Sequence, residues 1–479
     1  MKKVIFALLV SFITLNQLVA QPVSKHQAEQ AVRAFLLTKQ MANTPMLIDS
    51  IPGSESLLAR IYALNPGFVT VAAHKQLNAV LAYSFTADYD LNQKPWPELL
   101  PILKADYEQR LVFASSNPAV AFQNQTSWEA LLQPTKPARE FQQWPPEGST
   151  PTGGWLFTNW TQSAPYNKLC PMDNTTGQRS YVGCPATAMA QILNLHRRLN
   201  HTRFTDADDY FHNYGGNQFW FDDDYATFKF PSWPKLNRLL DTLETYYDIG
   251  QPTTDSLNAT LSLACGLAAN QVYSSSGSGT WGVEQAQMAY QRFDFTESVL
   301  VYNTDTTLNQ HLAENIKLGM PAHLALVDPG VTVGHNIVVD GYNTDEFFHF
   351  NFGWGGSANG WYTMPPSGMP YNLTVIEGIV LDIDLGNHIT GISRIETKQP
   401  THIRIYTQAN DVHVEVAAEP GRFQTYEIYS TQGQLLQTGT LQNLAKGHYV
   451  FKSSLHASGI YILRIATQNA EKACGKFVF

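Results

Sequence analysis

The sequence predicts an α+β protein in which a helix beginning at Cys184 packs on an antiparallel sheet that carries His335. Three observations lead there. Met189, Ile192 and Leu193 recur at helical spacing just after Cys184-Pro185, which makes one buried helical face. Ile337-Val338-Val339 and Phe347-Phe348-His349-Phe350 are apolar runs on either side of the turn-forming Tyr342-Asn343-Thr344-Asp345, as a hairpin requires. At 479 residues the chain is too long for one domain, and helix and strand signals mix along it rather than alternating regularly.

Each part can be justified in order. Residues 1–20 read as a signal peptide: Lys2 and Lys3, an apolar stretch over 4–13, and small Ala20 before Gln21-Pro22. Residues 21–150 form a small α+β unit. Ala28, Ala31, Val32, Phe35 and Leu36 lie on one helical face, residues 68–72 and 80–83 read as strands, and 95–111 reads as a second helix. This unit ends in Trp144-Pro145-Pro146-Glu147-Gly148-Ser149-Thr150-Pro151, which is Pro/Gly-rich and therefore predicted to be exposed and cleavable. Residues 151–387 hold Cys184 and His335. Residues 391–479 show short alternating strands at 402–406, 412–416, 426–429 and 460–465, the pattern of a β-sandwich.

Composition excludes several classes. A formal charge of −9, with no basic run longer than His196-Arg197-Arg198, gives no surface for nucleic acid. The stretch over 4–13 is too short to span a bilayer, and no other run approaches that length, so an exported chain without a membrane span is expected. The cysteines and histidines lack paired ligand spacings, so neither a metal nor another cofactor is expected. Cys170, Cys184, Cys265 and Cys474 can form two disulfides in three pairings, or one can be a reactive thiol.

The chemistry centres on Cys184. Pro185 suits the first position of a helix, which places Cys184 at the N-cap. Exposed N–H groups and the helix dipole there favour a thiolate, the nucleophilic form; the alternative is a buried or disulfide-bonded cysteine. A thiolate needs a base. His335, between Gly334 and a buried-looking strand, is the candidate. A hairpin centred on Asn343 sets His335 opposite Asn351, which then orients the imidazole; a shift of one residue in register would undo this. His335 follows Cys184 by 151 residues, near the roughly 130–150 at which papain-type enzymes carry His and Asn. The Cys184 N–H and the Gln162 side-chain amide are candidate oxyanion donors.

Four segments in this order resemble the streptopain family of papain-like bacterial cysteine peptidases. They are Thr161-Gln162-Ser163-Ala164-Pro165-Tyr166-Asn167, Gly183-Cys184-Pro185-Ala186-Thr187-Ala188-Met189-Ala190-Gln191-Ile192, Gly334-His335-Asn336-Ile337-Val338-Val339-Asp340-Gly341 and Asn351-Phe352-Gly353-Trp354-Gly355-Gly356. The resemblance implies a papain-like fold and endopeptidase action on protein or peptide substrates. It implies Cys184 as nucleophile, His335 as general base and then acid, Gln162 as oxyanion donor and Asn351 as the group orienting His335. It also implies substrate contacts from Ser276, Gly277, Ser278 and Trp354. Phe352 stands where the family often has Trp, so Trp354 is expected to shield the site. Pro185 replaces the more usual Val.

Residues 21–150 resemble the family's inhibitory propeptide, which implies a zymogen with its own propeptide as intramolecular inhibitor. Ile428-Tyr429-Ser430-Thr431-Gln432-Gly433-Gln434, Ala457-Ser458-Gly459-Ile460-Tyr461-Ile462-Leu463-Arg464 and Lys476-Phe477-Val478-Phe479 resemble the C-terminal sorting domain of type IX secretion, whose machinery is then a partner. The competing readings are another thiol acyl-transferase, such as a transglutaminase, and a catalytically inactive adhesin or binding module on the same fold.

Overall fold

The computed structural model describes residues 22–87, 96–133, 141–328, 330 and 334–384, and in the last region 403–408, 411–416, 423–430, 435–445, 448–455, 460–467 and 472–478. The signal segment expected at 1–20, and the motif residues 431–434, 457–459 and 479, lie outside them.

The first helix, α1 (Lys25–Thr38), starts where its sequence can close the N-terminus. The Ser24 side chain accepts the Gln27 N–H at 3.2 Å and the Gln27 side chain accepts the Ser24 N–H at 3.0 Å, a reciprocal cap. Ala28, Ala31, Val32, Phe35 and Leu36 form its buried face. An antiparallel meander follows: β1 (Met46–Pro52), β2 (Leu57–Ala63), β3 (Phe68–Ala72) and β4 (Val80–Ser84). Helices α2 (Trp96–Ser116) and α3 (Pro118–Leu132) complete this region.

The second region contains β5 (Gln143–Trp144), β6 (Met172–Asp173), β7 (Gln178–Arg179), α4 (Cys184–His196), β8 (Tyr210–Tyr214) and β9 (Asn217–Phe221). Beyond them lie β10 (Val299–Val301), β11 (Ala322–Val327), β12 (Gly334–Asn343), β13 (Phe347–Asn351), β14 (Gly360–Thr363) and β15 (Ile376–Leu381). One sheet runs β1-β2-β3-β4-β14-β13-β12-β11-β15-β10, with β5 added to β12. It joins the first two regions, because β4 pairs with β14 through Tyr83↔Trp361 and Ala82↔Tyr362.

Strand alternation sorts the residues of this sheet onto two faces. Leu324, Leu326, Ile337, Val339, Ile379 and Leu381 point into one core, which also takes α1, β1–β4 and the helix Leu308–Lys317. Ala325, Val338 and Val380 point into the other core, around α4. Every residue of α4 from Pro185 to Leu193 is buried, because the helix packs on β12 and on the helices Asp255–Ala268 and Glu284–Arg292.

Polar contacts reinforce the junction between the regions. Arg110 on α2 is buried: its Nε donates to Asp106 at 2.8 Å, and its two terminal nitrogens donate to the Thr363 hydroxyl (2.9 Å) and carbonyl (2.8 Å) at the end of β14. Asn343 donates to the Tyr83 hydroxyl at 3.1 Å. The predicted cleavable loop is anchored at both ends. Trp144 pairs with Tyr342, and the Trp155 N–H donates to the Asp340 carbonyl at 2.7 Å; between these anchors residues 146–149 are exposed.

The last region is a compact unit of its own. Two four-stranded sheets, Ile403–Gln408, Asp411–Val416, His448–Lys452 and Gln442–Ala445 in one and Leu435–Thr440, Phe423–Tyr429, Ile460–Thr467 and Lys472–Val478 in the other, enclose Val412, Val414, Ile428, Tyr449, Leu463 and Ile465. This is the predicted β-sandwich.

Candidate active site

Cys184 begins α4, and Gly183 rather than Cys184 is the N-cap; Pro185 is the second helical residue, not the first. The shift of one position leaves the electrostatics unchanged, since Cys184 still lies in the first turn, at the positive end of the helix dipole. Gly183 has φ +88°, and a Cβ there would lie 2.7 Å from the Gln271 Oε1. Both the backbone region and the close approach require glycine. Its carbonyl accepts the Thr187 N–H (3.0 Å) and hydroxyl (2.9 Å), closing the first turn. Cys170 and Cys265 are free cysteines. Cys170 and Cys265 are fully buried, and burial pushes the Cys170 thiol up to about 12 and that of Cys265 further still. Cys184 is part-exposed and sits at a helix start, so it is the nucleophile candidate among the three.

His335, the second residue of β12, lies opposite Leu326 of β11. The expected pairing with Asn351 does not occur: Asn351 faces Val338. Two local features move the register. The Asn343 side chain accepts the Asp345 N–H at 3.0 Å, which draws the turn two residues further along, and a bulge at Asp340 removes one residue from the ladder. The carbonyl of Phe352 takes the place expected for Asn351, at 2.9 Å from His335 Nε2. Trp354 stacks on the imidazole, with centroids 4.2 Å apart and an interplanar angle of 16°. Burial pushes the His335 pKa down to about 4, against a smaller upward pull from the Phe352 carbonyl. The ring is therefore neutral near pH 7. A carbonyl can only accept, so Nε2 carries the hydrogen and Nδ1 keeps a lone pair for a proton.

This depressed pKa has a measurable consequence. Between pH about 6.5 and about 4 the unfolded chain binds a proton at residue 335 that the folded chain does not, so stability falls as pH drops through that window, by at most about 1.4 kcal/mol per unit. His323 is lowered likewise. The His335 share is thus the difference between the parent and His335→Gln, and urea unfolding across pH 4–7 is expected to show a shallower slope in the variant.

The other predicted residues gather around these two. The Gln162 carbonyl accepts the Val182 N–H at 2.8 Å, which fixes Gln162 beside the residues leading into Cys184. The loop after β13 packs on the same helix turn: a Cβ at Gly353 would lie 3.0 Å from the Thr187 side chain. The Ser274 carbonyl accepts the Tyr181 N–H at 3.1 Å, so the loop with Ser276, Gly277 and Ser278 starts against Tyr181, three residues before Cys184. The Ser276 and Ser278 hydroxyls hydrogen-bond to Ser274, at 2.8 and 3.0 Å, and so shape the loop itself; Gly277 borders open space.

Sequence reasoning missed Asp173, Gln191 and Gln271. Asp173 is buried and holds the serine loop: one carboxylate oxygen accepts from the Ser275 N–H (3.0 Å) and hydroxyl (2.7 Å), the other from Thr175 and Asn217. Burial alone would raise its pKa, but these hydrogen bonds hold it well below the usual carboxylate range. Asp173→Ala is expected to release the loop and to raise the KM for an unstructured peptide severalfold with a smaller change in kcat, as steady-state kinetics will show. Among the described residues no group of three or more His, Cys, Asp or Glu is placed to hold a metal ion, and no helix is long and apolar enough to cross a membrane.

Residues 160–362 match the model of the peptidase C10 family. Over those residues, which hold Gln162, Cys184, His335 and Asn351, the chain is similar to that streptopain-like family. Residues 20–111 match a second model, the Spi protease inhibitor. The thiol protease/hemagglutinin PrtT of Porphyromonas gingivalis is 25% identical over 382 residues, 75% of this chain and 41% of that protein, so the chain spans well under half of that relative. Streptopain of Streptococcus pyogenes is 24% identical over 326 residues, 65% of this chain and 75% of streptopain. A structure of a Prevotella intermedia prointerpain A fragment aligns with a TM-score of 0.50 at 20% identity, covering 71% of this chain and 98% of the fragment. That likeness supports the fold, propeptide-like region included.

Proposed function

We propose that this protein is a secreted cysteine endopeptidase made as a zymogen. The observation that carries the reading is the placement of a part-exposed Cys184 at the start of α4, the helix that packs on β12, the strand that carries His335. The Cys184 sulfur, after giving its proton to His335 Nδ1, attacks the peptide carbonyl carbon. The Cys184 N–H and the Gln162 amide receive the oxyanion. His335 returns the proton to the leaving amine as the C–N bond breaks. Water, deprotonated by His335, then attacks the thioester, releasing the acid and the Cys184 thiol. Trp354 covers the imidazole, and Ser276, Gly277 and Ser278 border the substrate.

Residues 21–150 act as the intramolecular inhibitor and 391–479 as the type IX sorting domain, after export directed by 1–20. The exposed stretch 146–149 is where the chain is cut. The reading is tested with a denatured protein substrate and the purified chain. Hydrolysis that requires a reductant is expected. No hydrolysis, even after removal of the residues before Gly154, would instead make the protein an inactive binding module. Processing by the enzyme itself predicts that the precursor shortens in reductant at mildly acidic to neutral pH; a stable full-length precursor there would refute it.

A further inference from the structure

Gln191 lies on α4 two turns beyond Cys184 and is completely buried. Its Oε1 accepts the Trp160 N–H and the Thr158 hydroxyl, both at 3.1 Å, and its Nε2 donates to Asn351 Oδ1 at 3.3 Å. Asn351, 1% exposed, continues the circuit: its Oδ1 also accepts the Gly353 N–H at 3.1 Å, and its Nδ2 donates to the Thr158 carbonyl at 3.0 Å. Backbone groups force the polarity of both amides. The N–H groups of Trp160 and Gly353 can only donate and the Thr158 carbonyl can only accept, so neither side chain can flip without leaving buried groups unpaired.

The circuit joins three segments that carry the chemistry. One is 158–162, which ends in Gln162. The second is α4, which begins with Cys184. The third is 351–354, in which the Phe352 carbonyl meets His335 Nε2 and Trp354 stacks on the ring. Asn351 and Gly353 flank Phe352 and are tied to each other, so they fix the direction of that carbonyl. A second tie, from the Gly355 N–H to the Trp160 carbonyl at 3.0 Å, runs between the same outer segments.

We propose that Gln191 is a positioning residue for the peptidase reaction, holding through Asn351 the carbonyl that orients His335 and through Trp160 the segment that presents Gln162. The inference rests on the proposed peptidase function. Asn351 then acts one step removed from the imidazole, as Gln191's partner rather than as the imidazole's own.

Two variants test it in the full chain, with thermal unfolding as the check on folding. Gln191→Met keeps the volume and removes the amide. A displaced catalytic group costs up to about 100-fold in rate, so kcat is expected to fall about 10- to 100-fold with a much smaller change in KM. The alkylation rate of Cys184 by a thiol-directed epoxide should fall in step. Gln191→Glu is nearly isosteric but turns an ionised oxygen toward Asn351 Oδ1. When protonated, the acid can donate there again. Its kcat should therefore be low near neutral pH and recover as pH falls, a pH profile that a purely structural role would not produce. Should Gln191→Met not fold, Gln191→Glu decides. If the parent hydrolyses protein and the folded variants keep its kcat and pH profile, the positioning role is wrong. If the parent hydrolyses nothing, even after removal of the residues before Gly154, the peptidase reading itself has failed.

Discussion

Cys184→Ala is expected to lower kcat/KM for peptide hydrolysis by at least about 10⁴-fold while leaving the fold intact, because loss of the nucleophile removes the covalent route entirely. The substitution removes one sulfur at a part-exposed helix start, outside the buried run of α4 that begins at Pro185. The remaining rate measures what Gln162 and the α4 N-terminus give a water molecule attacking unaided. Kinetics on an unstructured peptide, with unchanged thermal unfolding as control, will show it. Cys170→Ala and Cys265→Ala are the informative contrasts. Both thiols are buried and pushed up in pKa, so hydrolysis per folded molecule is expected to survive their loss, though the cavities cost stability.

The second large effect lies at the junction between the first region and the peptidase sheet. Arg110→Met is expected to destabilise the precursor by about 3–5 kcal/mol, because it strands a buried carboxylate. Asp106 is buried with it, and burial raises the Asp106 carboxyl pKa while Arg110 pulls it back. Without Arg110, Asp106 loses its counter-charge and Thr363 loses both its hydrogen bonds from the guanidinium. Asp106→Leu combined with Arg110→Met removes the stranded charge and is expected to recover much of the loss in urea unfolding. The single variant should also release residues 21–150 from β14 more readily, so activity should appear sooner in a processing time course.

Most of this architecture could be read from side-chain patterns. The α1 periodicity through Ala28, Ala31, Val32, Phe35 and Leu36, the strands at 68–72 and 80–84, and the sandwich strands expected at 402–406, 412–416 and 460–465 appear within a residue or two of where spacing sets them, while the strand expected at 426–429 begins three residues earlier, at Phe423. Sequence pattern also singled out Cys184 and His335, since a Gly-Cys-Pro helix start and a Gly-His strand start are local features. What escaped is non-local or backbone-borne. The Asn351 pairing failed because register depends on the Asn343 turn and the Asp340 bulge, and neither leaves a mark in hydrophobic alternation. The group that holds His335 is a carbonyl, and every residue has one, so no motif could reveal Phe352. Gln191 and Asp173 looked like ordinary polar residues; only tertiary contacts show that their partners come from chain segments far away in sequence. The joining of the first region to the catalytic sheet through β4 and β14 is likewise a long-range pairing with no local signature.

The most direct test of the whole account is covalent labelling by a thiol-directed epoxide followed by peptide mass mapping. After removal of the residues before Gly154, the enzyme should take up one equivalent, with the adduct on Cys184 and hydrolysis lost in proportion to labelling. His335→Ala should slow that labelling sharply. An adduct on Cys170, Cys265 or Cys474 instead, or full hydrolysis after complete labelling of Cys184, would contradict it.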